Sequence, residues 1–388
     1  MLIFNIKKKR VLFITGTRAD YGKLKPLIKS LENDDDFEAY VFVCGMHMLK
    51  TFGETCKEIL KDDYKNVYLA QKNDVCTDMG INLSKTVCKL TEYICKNNID
   101  LIVVHGDRGE ALAGAIVGIT HNIRVAHIEG GEVSGTIDES IRHAVSKLAH
   151  IHFVCTDDAV KRLKQLGEEQ DRVFLIGSPD IDVMLKGMLP DMIDVKKKYS
   201  IDFNEYGILL YHPVVTENNY LKHNIEEVVN AVFSSGKNYI VIYPNNDIGY
   251  QVIIEEYKRF EKYDNIKVYP SIDFESFLTL LKNANFILGN SSAGIRESGV
   301  YGIPAIDIGT RQNGRYNLDV VKNIQHVNED RHSIINAIDC IDSHRVVKSF
   351  YGSGCSASEF AEILKTHRFW EISLQKKFVD YKEVLECI

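Results

Sequence analysis

Short apolar runs alternate along this chain with longer stretches whose apolar residues recur at helical spacing, and that alternation limits the possible folds severely. The run Val11–Ile14 is followed by Leu24, Leu27, Ile28 and Leu31, the i, i+3, i+4, i+7 pattern of one helix face. The pattern then repeats. Strands are predicted at Ala39–Cys44, Val67–Leu69, Leu101–Val104, Val125–Ile128, Ile151–Cys155 and Val173–Ile176. Helices fall between them around Leu49–Leu60, Ile81–Cys95, Ala111–Ile119, Ser140–Ala149 and Ala159–Leu166. Such alternation predicts a parallel sheet with helices on both faces.

Gly177-Ser-Pro-Asp180 punctuates the series, and a polar stretch rich in Asp and Lys runs on to about Asn204. A second series follows, with strands expected at Gly207–Pro213, Tyr239–Tyr243, Lys267–Tyr269, Phe286–Leu288 and Ala305–Ile308. The expectation is an α/β protein of two Rossmann-like, doubly wound domains, residues 1–178 and 179–365, with a cleft between them. Residues from Ser356 onward read as one or two helices, and by fold analogy the segment 366–388 crosses back to the first domain. A length of 388 residues suits two such domains, and 45% hydrophobic residues suffice for their cores.

A formal net charge of −7 argues against nucleic acid as the main partner and leaves a small ligand. No run is long enough to span a bilayer. Met1–Ile6 precedes the basic Lys7–Arg10, the reverse of a secretory signal. Nine cysteines are scattered without a Cys-x-x-Cys pair, several inside apolar runs. A cytoplasmic protein without a disulfide framework is expected.

Charged residues appear abruptly where the strands should end, which is where an open α/β sheet keeps its chemistry. His105-Gly-Asp107-Arg108 follows one strand and Glu129 another, while Asp138 opens the next helix. Three acids can therefore converge on one crevice. Each has a bland alternative: Asp138 can cap its helix, and Asp107 can pair with Arg108 or Arg142. The loop Gly16–Lys23 has its glycines one residue too far apart for a phosphate loop, and Leu24 stands where a hydroxyl is needed. It reads instead as a turn presenting Arg18 to an anion at a helix N-terminus. Gly289-Asn-Ser-Ser-Ala-Gly-Ile-Arg-Glu297 offers small residues and hydroxyls around another helix start, a cradle for a diphosphate or simply a helix capped by Ser292. Glu297, one turn on, can accept from ribose hydroxyls. His212 and Arg311 complete four strand-end sites suited to a nucleoside diphosphate. The histidines show no metal-ligand spacing, and no serine sits in a nucleophile elbow. Neither a metal nor another cofactor is expected.

With these residues in place, the chain resembles the hydrolysing UDP-N-acetylglucosamine 2-epimerases of bacterial sialic acid synthesis. The resemblance rests on Thr15–Pro26, His105–Arg108, His127–His143, Gly177–Asp180, Asn290–Glu297 and Gly309–Arg311. It implies a fold of the glycosyltransferase-B type, a homodimer or homotetramer, and no membrane or nucleic-acid partner. The implied reaction takes a UDP-sugar and water to N-acetylmannosamine and UDP by way of a glycal. By the same resemblance Asp107, Glu129, Asp138 and His212 are catalytic, and Arg18, Ala19, Arg108, His143, Asn245, Ser291, Ser292, Glu297 and Arg311 bind substrate. Related enzymes act on UDP- or GDP-linked 2,4-diacetamido-trideoxy sugars, and nothing in the motifs fixes the C4 and C6 substituents. A glycosyltransferase of the same fold and a non-catalytic nucleotide-sugar binder are the remaining alternatives.

Overall fold

The computed structural model describes residues 8–70, 78–186, 189–348 and 351–380, and in it the alternation folds into two parallel sheets. The first contains β1 (Lys9–Thr15), β2 (Phe37–Val43), β3 (Val67–Leu69), β4 (Leu101–His105), β5 (Arg124–Ile128), β6 (Ile151–Val154) and β7 (Val173–Leu175), in the order β3-β2-β1-β4-β5-β6-β7. The second contains β8 (Gly207–Leu210), β9 (Tyr239–Ile242), β10 (Ile266–Tyr269), β11 (Phe286–Gly289), β12 (Ala305–Ile308) and β13 (Ile324–Val327), in the order β10-β9-β8-β11-β12-β13. The Met1–Ile6 run and residues 381–388 of the expected C-terminal helix lie outside the described residues. No helix among the described residues is long and apolar enough to cross a membrane.

The apolar runs are continuous because helices cover both faces of each sheet. In β1, Val11 and Phe13 join the core on one face while Leu12 and Ile14 join that on the other. In β8, Ile208 and Leu210 face one core and Leu209 the other. Each such side chain taken fully out of water contributes about 1.5–3 kcal/mol.

Strand order reverses between β1 and β4 in the first sheet and between β8 and β11 in the second. A crevice opens at the carboxyl ends of the strands at such a reversal. The loops after these four strands carry Arg18, His105–Arg108, His212 and Asn290–Glu297.

The chain crosses between the domains twice, and the two crossings touch. Ser178 N donates to Tyr351 O at 2.6 Å. Gly177 (φ +78°) and Gly352 (φ +137°) pack so closely that a Cβ on Gly177 would lie 2.9 Å from the Cα of Gly352. After the second crossing, Asp182 caps the helix Ser356–Lys365 by accepting from the backbone N–H groups of Ser356 and Ala357 at 2.9 and 2.8 Å. Phe360, Leu364 and Phe369 then enter the core around Val11 and Phe13. Polar contacts fasten the segment beyond Phe369: Arg124 donates to Trp370 O, and Lys376 Nζ donates to Ala149 O at 2.6 Å.

Three segments depart from the sequence reading. The region expected as a helix over Leu49–Leu60 holds only the 3₁₀ turn Lys50–Phe52 and the start of the helix Cys56–Lys61, because Gly53 and Glu54 both take positive φ there. The polar stretch near the boundary contains the helices Pro179–Lys186 and Met192–Tyr199. In the latter only Val195 is buried, so the apolar periodicity is too thin to read. Edge strand β13, Ile-Gln-His-Val, has one open side and so lacks the apolar run that marked its neighbours.

His150 ties this architecture to pH. Its Nδ1 accepts from Val125 N at 3.1 Å and its Nε2 donates to Leu374 O at 3.0 Å, so the neutral ring joins β5 to the C-terminal segment. Burial, with Lys376 nearby, lowers its pKa from 6.5 to about 4. A lowered folded-state pKa means that the unfolded chain binds the proton first, so stability is lost as pH falls from about 6.5 toward 4. Urea midpoints measured across that range should fall with acidification, and His150→Asn should flatten the slope by up to about one proton.

Candidate active site

The loops at the two strand-order reversals face each other across a cavity of about 240 Å³. Twelve of the thirteen anticipated residues line it: Arg18, Ala19, Asp107, Arg108, Glu129, Asp138, His212, Asn245, Ser291, Ser292, Glu297 and Arg311. His143 does not. It follows Asp138 by five residues on the helix Ile137–Leu148, which turns its side chain roughly 140° away from Asp138. The ring is 52% exposed and contacts Glu139 Oε1 at 3.1 Å. A side chamber of about 50 Å³ shares Asp107, Arg108 and Asp138 with the main cavity.

Glu129 follows β5 directly in the left-handed region, φ +63°, a conformation that costs a residue with a Cβ roughly 1–3 kcal/mol. The turn aims its carboxylate into a buried cluster drawn from both domains. Lys23 Nζ lies 3.1 and 3.2 Å from its two oxygens, and Arg296 donates to both at 3.2 and 2.6 Å. Ser178 Oγ donates at 2.6 Å, and His105 Nε2 stands 3.3 Å away. Burial alone would push this carboxyl up, but Arg296 and Lys23 outweigh it and hold the group well below the usual carboxylate range. Glu129 is therefore an ionised group with its acceptor sites filled.

Asp107 and Asp138 are less enclosed. Arg142 donates directly to Asp107 Oδ2, and Arg315 stands 3.6 Å from the same oxygen. Ser134 Oγ accepts from both guanidinium groups, at 2.7 Å from Arg142 and 2.8 Å from Arg315. Asp138 opens its helix one residue in, behind the N-cap Thr136, and lies 3.6 Å from Arg311 across the cleft.

On the second domain, His212 Nδ1 accepts from Asn245 N at 3.0 Å, so that nitrogen carries no proton. Burial, with Arg311, Arg108 and Arg18 close by, holds the ring well below its ordinary pKa. His212 is thus a neutral imidazole whose Nε2–H is its donor, in the wall of the cavity. The turn after β11 differs in detail from expectation: Ser291, not Ser292, is the capping residue, accepting from Ala293 N at 3.3 Å. Glu297 begins the helix Glu297–Tyr301, buried, with Oε2 unpartnered, and burial raises its pKa.

The sequence profile described as UDP-N-acetylglucosamine 2-epimerase matches residues 29–365. The chain belongs to the UDP-N-acetylglucosamine 2-epimerase family. A UDP-N-acetylglucosamine 2-epimerase of Neisseria meningitidis serogroup B is 44% identical over 377 residues, covering 96% of this chain and 99% of that one. A UDP-N,N'-diacetylbacillosamine 2-epimerase (hydrolyzing) of Legionella pneumophila is 31% identical over 364 residues, covering 92% and 96%. The Escherichia coli polysialic acid biosynthesis protein P7 is 28% identical over 388 residues, covering 98% of each chain. Among solved structures, the Methanocaldococcus jannaschii UDP-GlcNAc 2-epimerase in complex with UDP-GlcNAc and UDP superposes with a TM-score of 0.77. It is 23% identical and covers 92% of this chain and 99% of that one, a likeness of fold.

This 2-epimerase fold brings to the cavity several groups beyond the thirteen anticipated: Lys23, His105, Glu132, Arg142, Arg296 and Arg315. Some signal was present. Arg142 follows Asp138 by four residues and so shares its helix face. Lys23 and Arg296 carried none, because their partner Glu129 lies on a distant element.

Replacing Glu129 by Gln keeps the shape of the cluster but leaves Lys23 and Arg296 against a neutral amide. Breaking a buried pair in this way costs about 3–5 kcal/mol, so the urea midpoint of Glu129→Gln at pH 7 should fall accordingly. The folded-state pKa of Glu129 is depressed, so its contribution exists above the ordinary carboxylate pKa and disappears as pH falls. The gap between variant and wild type should therefore narrow on acidification.

Proposed function

We propose that this protein is a hydrolysing UDP-N-acetylglucosamine 2-epimerase, a cytoplasmic enzyme of sialic acid synthesis that converts its substrate and water to N-acetylmannosamine and UDP. The reading is carried by one observation: Asp107, Glu129 and Asp138 line a single cavity whose other wall bears Arg311, His212 and the capped turn at Ser291. Similarity to the meningococcal epimerase and to the polysialic acid protein adds the pathway.

The chemistry is dictated by the substrate. The C2 proton is not beside a carbonyl, so its removal must accompany loss of UDP from C1. Elimination gives a glycal, and water added at C1 with a proton delivered to the opposite face of C2 inverts that centre. Acid and base groups are needed on both faces of the ring. Asp107 serves the elimination, Asp138 the hydration, and Glu129, fixed as an anion, shapes the field between them. Arg18, Arg311 and the neutral His212 stabilise charge arriving on the departing diphosphate, with Glu297 toward the ribose. In this reading the domain of the first sheet, joined by the returning helix Ser356–Lys365, supplies the acids, and the domain of the second sheet grips the nucleotide.

Similarity to the Legionella enzyme favours a second reading, in which the substrate is a UDP- or GDP-linked 2,4-diacetamido-trideoxy sugar and the chemistry is unchanged.

Incubation with UDP-N-acetylglucosamine in deuterated water, followed by NMR, decides between these. Free N-acetylmannosamine with deuterium at C2, appearing in step with UDP, is the expected result. Deuterium in an intact nucleotide sugar would refute hydrolysis, and an untouched substrate would select the diacetamido sugars. Asp107→Asn and Asp138→Asn should each lower kcat by about 100-fold or more, the usual range for loss of an acid or base, with KM nearly unchanged.

A further inference from the structure

The saturation of Glu129 leaves the hydration step short of a proton donor. A carboxylate clamped by Lys23, Arg296 and Ser178 holds no proton to give. Three residues later the same turn delivers another carboxyl. Gly131 takes φ +76°, and a Cβ there would lie 2.5 Å from Ala159 O, so the chain can double back only with glycine at this point. Arg162 donates to Gly131 O at 3.2 Å and Arg142 to Glu132 O at 3.2 Å, which fixes the turn from two helices. Glu132 consequently lines the cavity beside Glu129.

The Glu132 side chain differs from Glu129 in how it is held. Its Oε1 is closed off from solvent without a hydrogen-bond partner. An ionised carboxylate left in that state is costly, and a protonated one is far less so. Burial raises its pKa, helped by the Glu129 charge and opposed by Arg296, Arg315 and Arg162. Two carboxyls three residues apart are thus pushed in opposite directions, the arrangement by which one site holds an anion and an acid together.

We propose that Glu132 is the catalytic acid that protonates C2 of the glycal, an assignment that rests on the epimerase reading above. The Glu132 O–H bond breaks as its proton goes to C2, and the C1–C2 π electrons form the new C2–H bond. The water oxygen bonds to C1 and gives its proton to the Asp138 carboxylate. Glu132, now an anion in the field of Arg296 and Arg315, recovers a proton from solvent as Asp138 loses one, so glycal and water become the free sugar with no net change in the protein.

Wild type, Glu132→Gln and Glu132→Asp are compared with UDP-N-acetylglucosamine, following UDP, 2-acetamidoglucal and free sugar by NMR. Calorimetric UDP binding within about two-fold of wild type establishes that each variant is folded. Glu132→Gln should still release UDP, accumulate the glycal, and lose free sugar by about 100-fold or more. Glu132→Asp, which keeps the acid, should restore sugar release in part, and it carries the test if the Gln variant does not fold. Free sugar from Glu132→Gln at the wild-type rate without glycal would overturn the assignment alone. A folded variant releasing neither UDP nor sugar would place Glu132 in the elimination half and also overturn it. Wild type that releases no UDP from this substrate or from the diacetamido sugars overturns the epimerase reading, and this assignment with it.

Discussion

The pairing of Glu129 with Lys23 and Arg296 is the contact on which the site depends. It spans the cleft: Glu129 follows β5 of the first sheet, and Arg296 lies in the turn after β11 of the second. Neither partner is tolerable alone at that depth, since removing one member of a buried pair costs about 3–5 kcal/mol. The cluster also recruits Ser178 at one interdomain crossing and Tyr351 at the other, where the Arg296 guanidinium lies 4.4 Å from the ring centroid. Domain placement and the electrostatics of the cavity are therefore set by the same few atoms.

That coupling shapes the field a ligand meets. Seven cationic side chains line the cavity, Arg18, Lys23, Arg108, Arg142, Arg296, Arg311 and Arg315, against six carboxyls. The balance inside the cleft tilts positive in a chain whose formal net charge is −7. An anionic diphosphate is thus drawn by local arrangement rather than by overall charge.

The fold was largely legible because parallel strands buried on both faces must be apolar throughout, and the break from apolar run to His105-Gly-Asp107 or to Glu129 marks a strand end directly. That break places Asp107 and Glu129, the start of its helix places Asp138, and the family resemblance makes all three catalytic. The pairing of Asp107 with Arg142 is among the readable alternatives, but the partners of Glu129 are not. Lys23 is one turn beyond Arg18 and looks like any helix-surface lysine, and only the packed structure brings it against Glu129 and Asp180. His143, placed at the substrate by the family resemblance, lies outside the cavity because the helix period turns it away from Asp138. The edge strand β13 was missed because half-exposed strands lose the apolar signal that identified the others.

Across the cleft, the polar groups of the cavity are already ordered by the protein. Arg108 donates to Asn246 Oδ1 at 2.7 Å, Arg315 to Val133 O at 2.6 Å, and Arg311 Nη1 to Asn290 O at 3.2 Å. Arg18 reaches Ile272 O and stacks over Phe277, with its guanidinium carbon 5.6 Å from the ring centroid. Guanidinium groups held this way have lost their rotamer freedom and much of their hydration during folding, not during binding. Charge that develops on a substrate in such a site meets dipoles that need no reorganisation, which is the condition under which electrostatic stabilisation is largest.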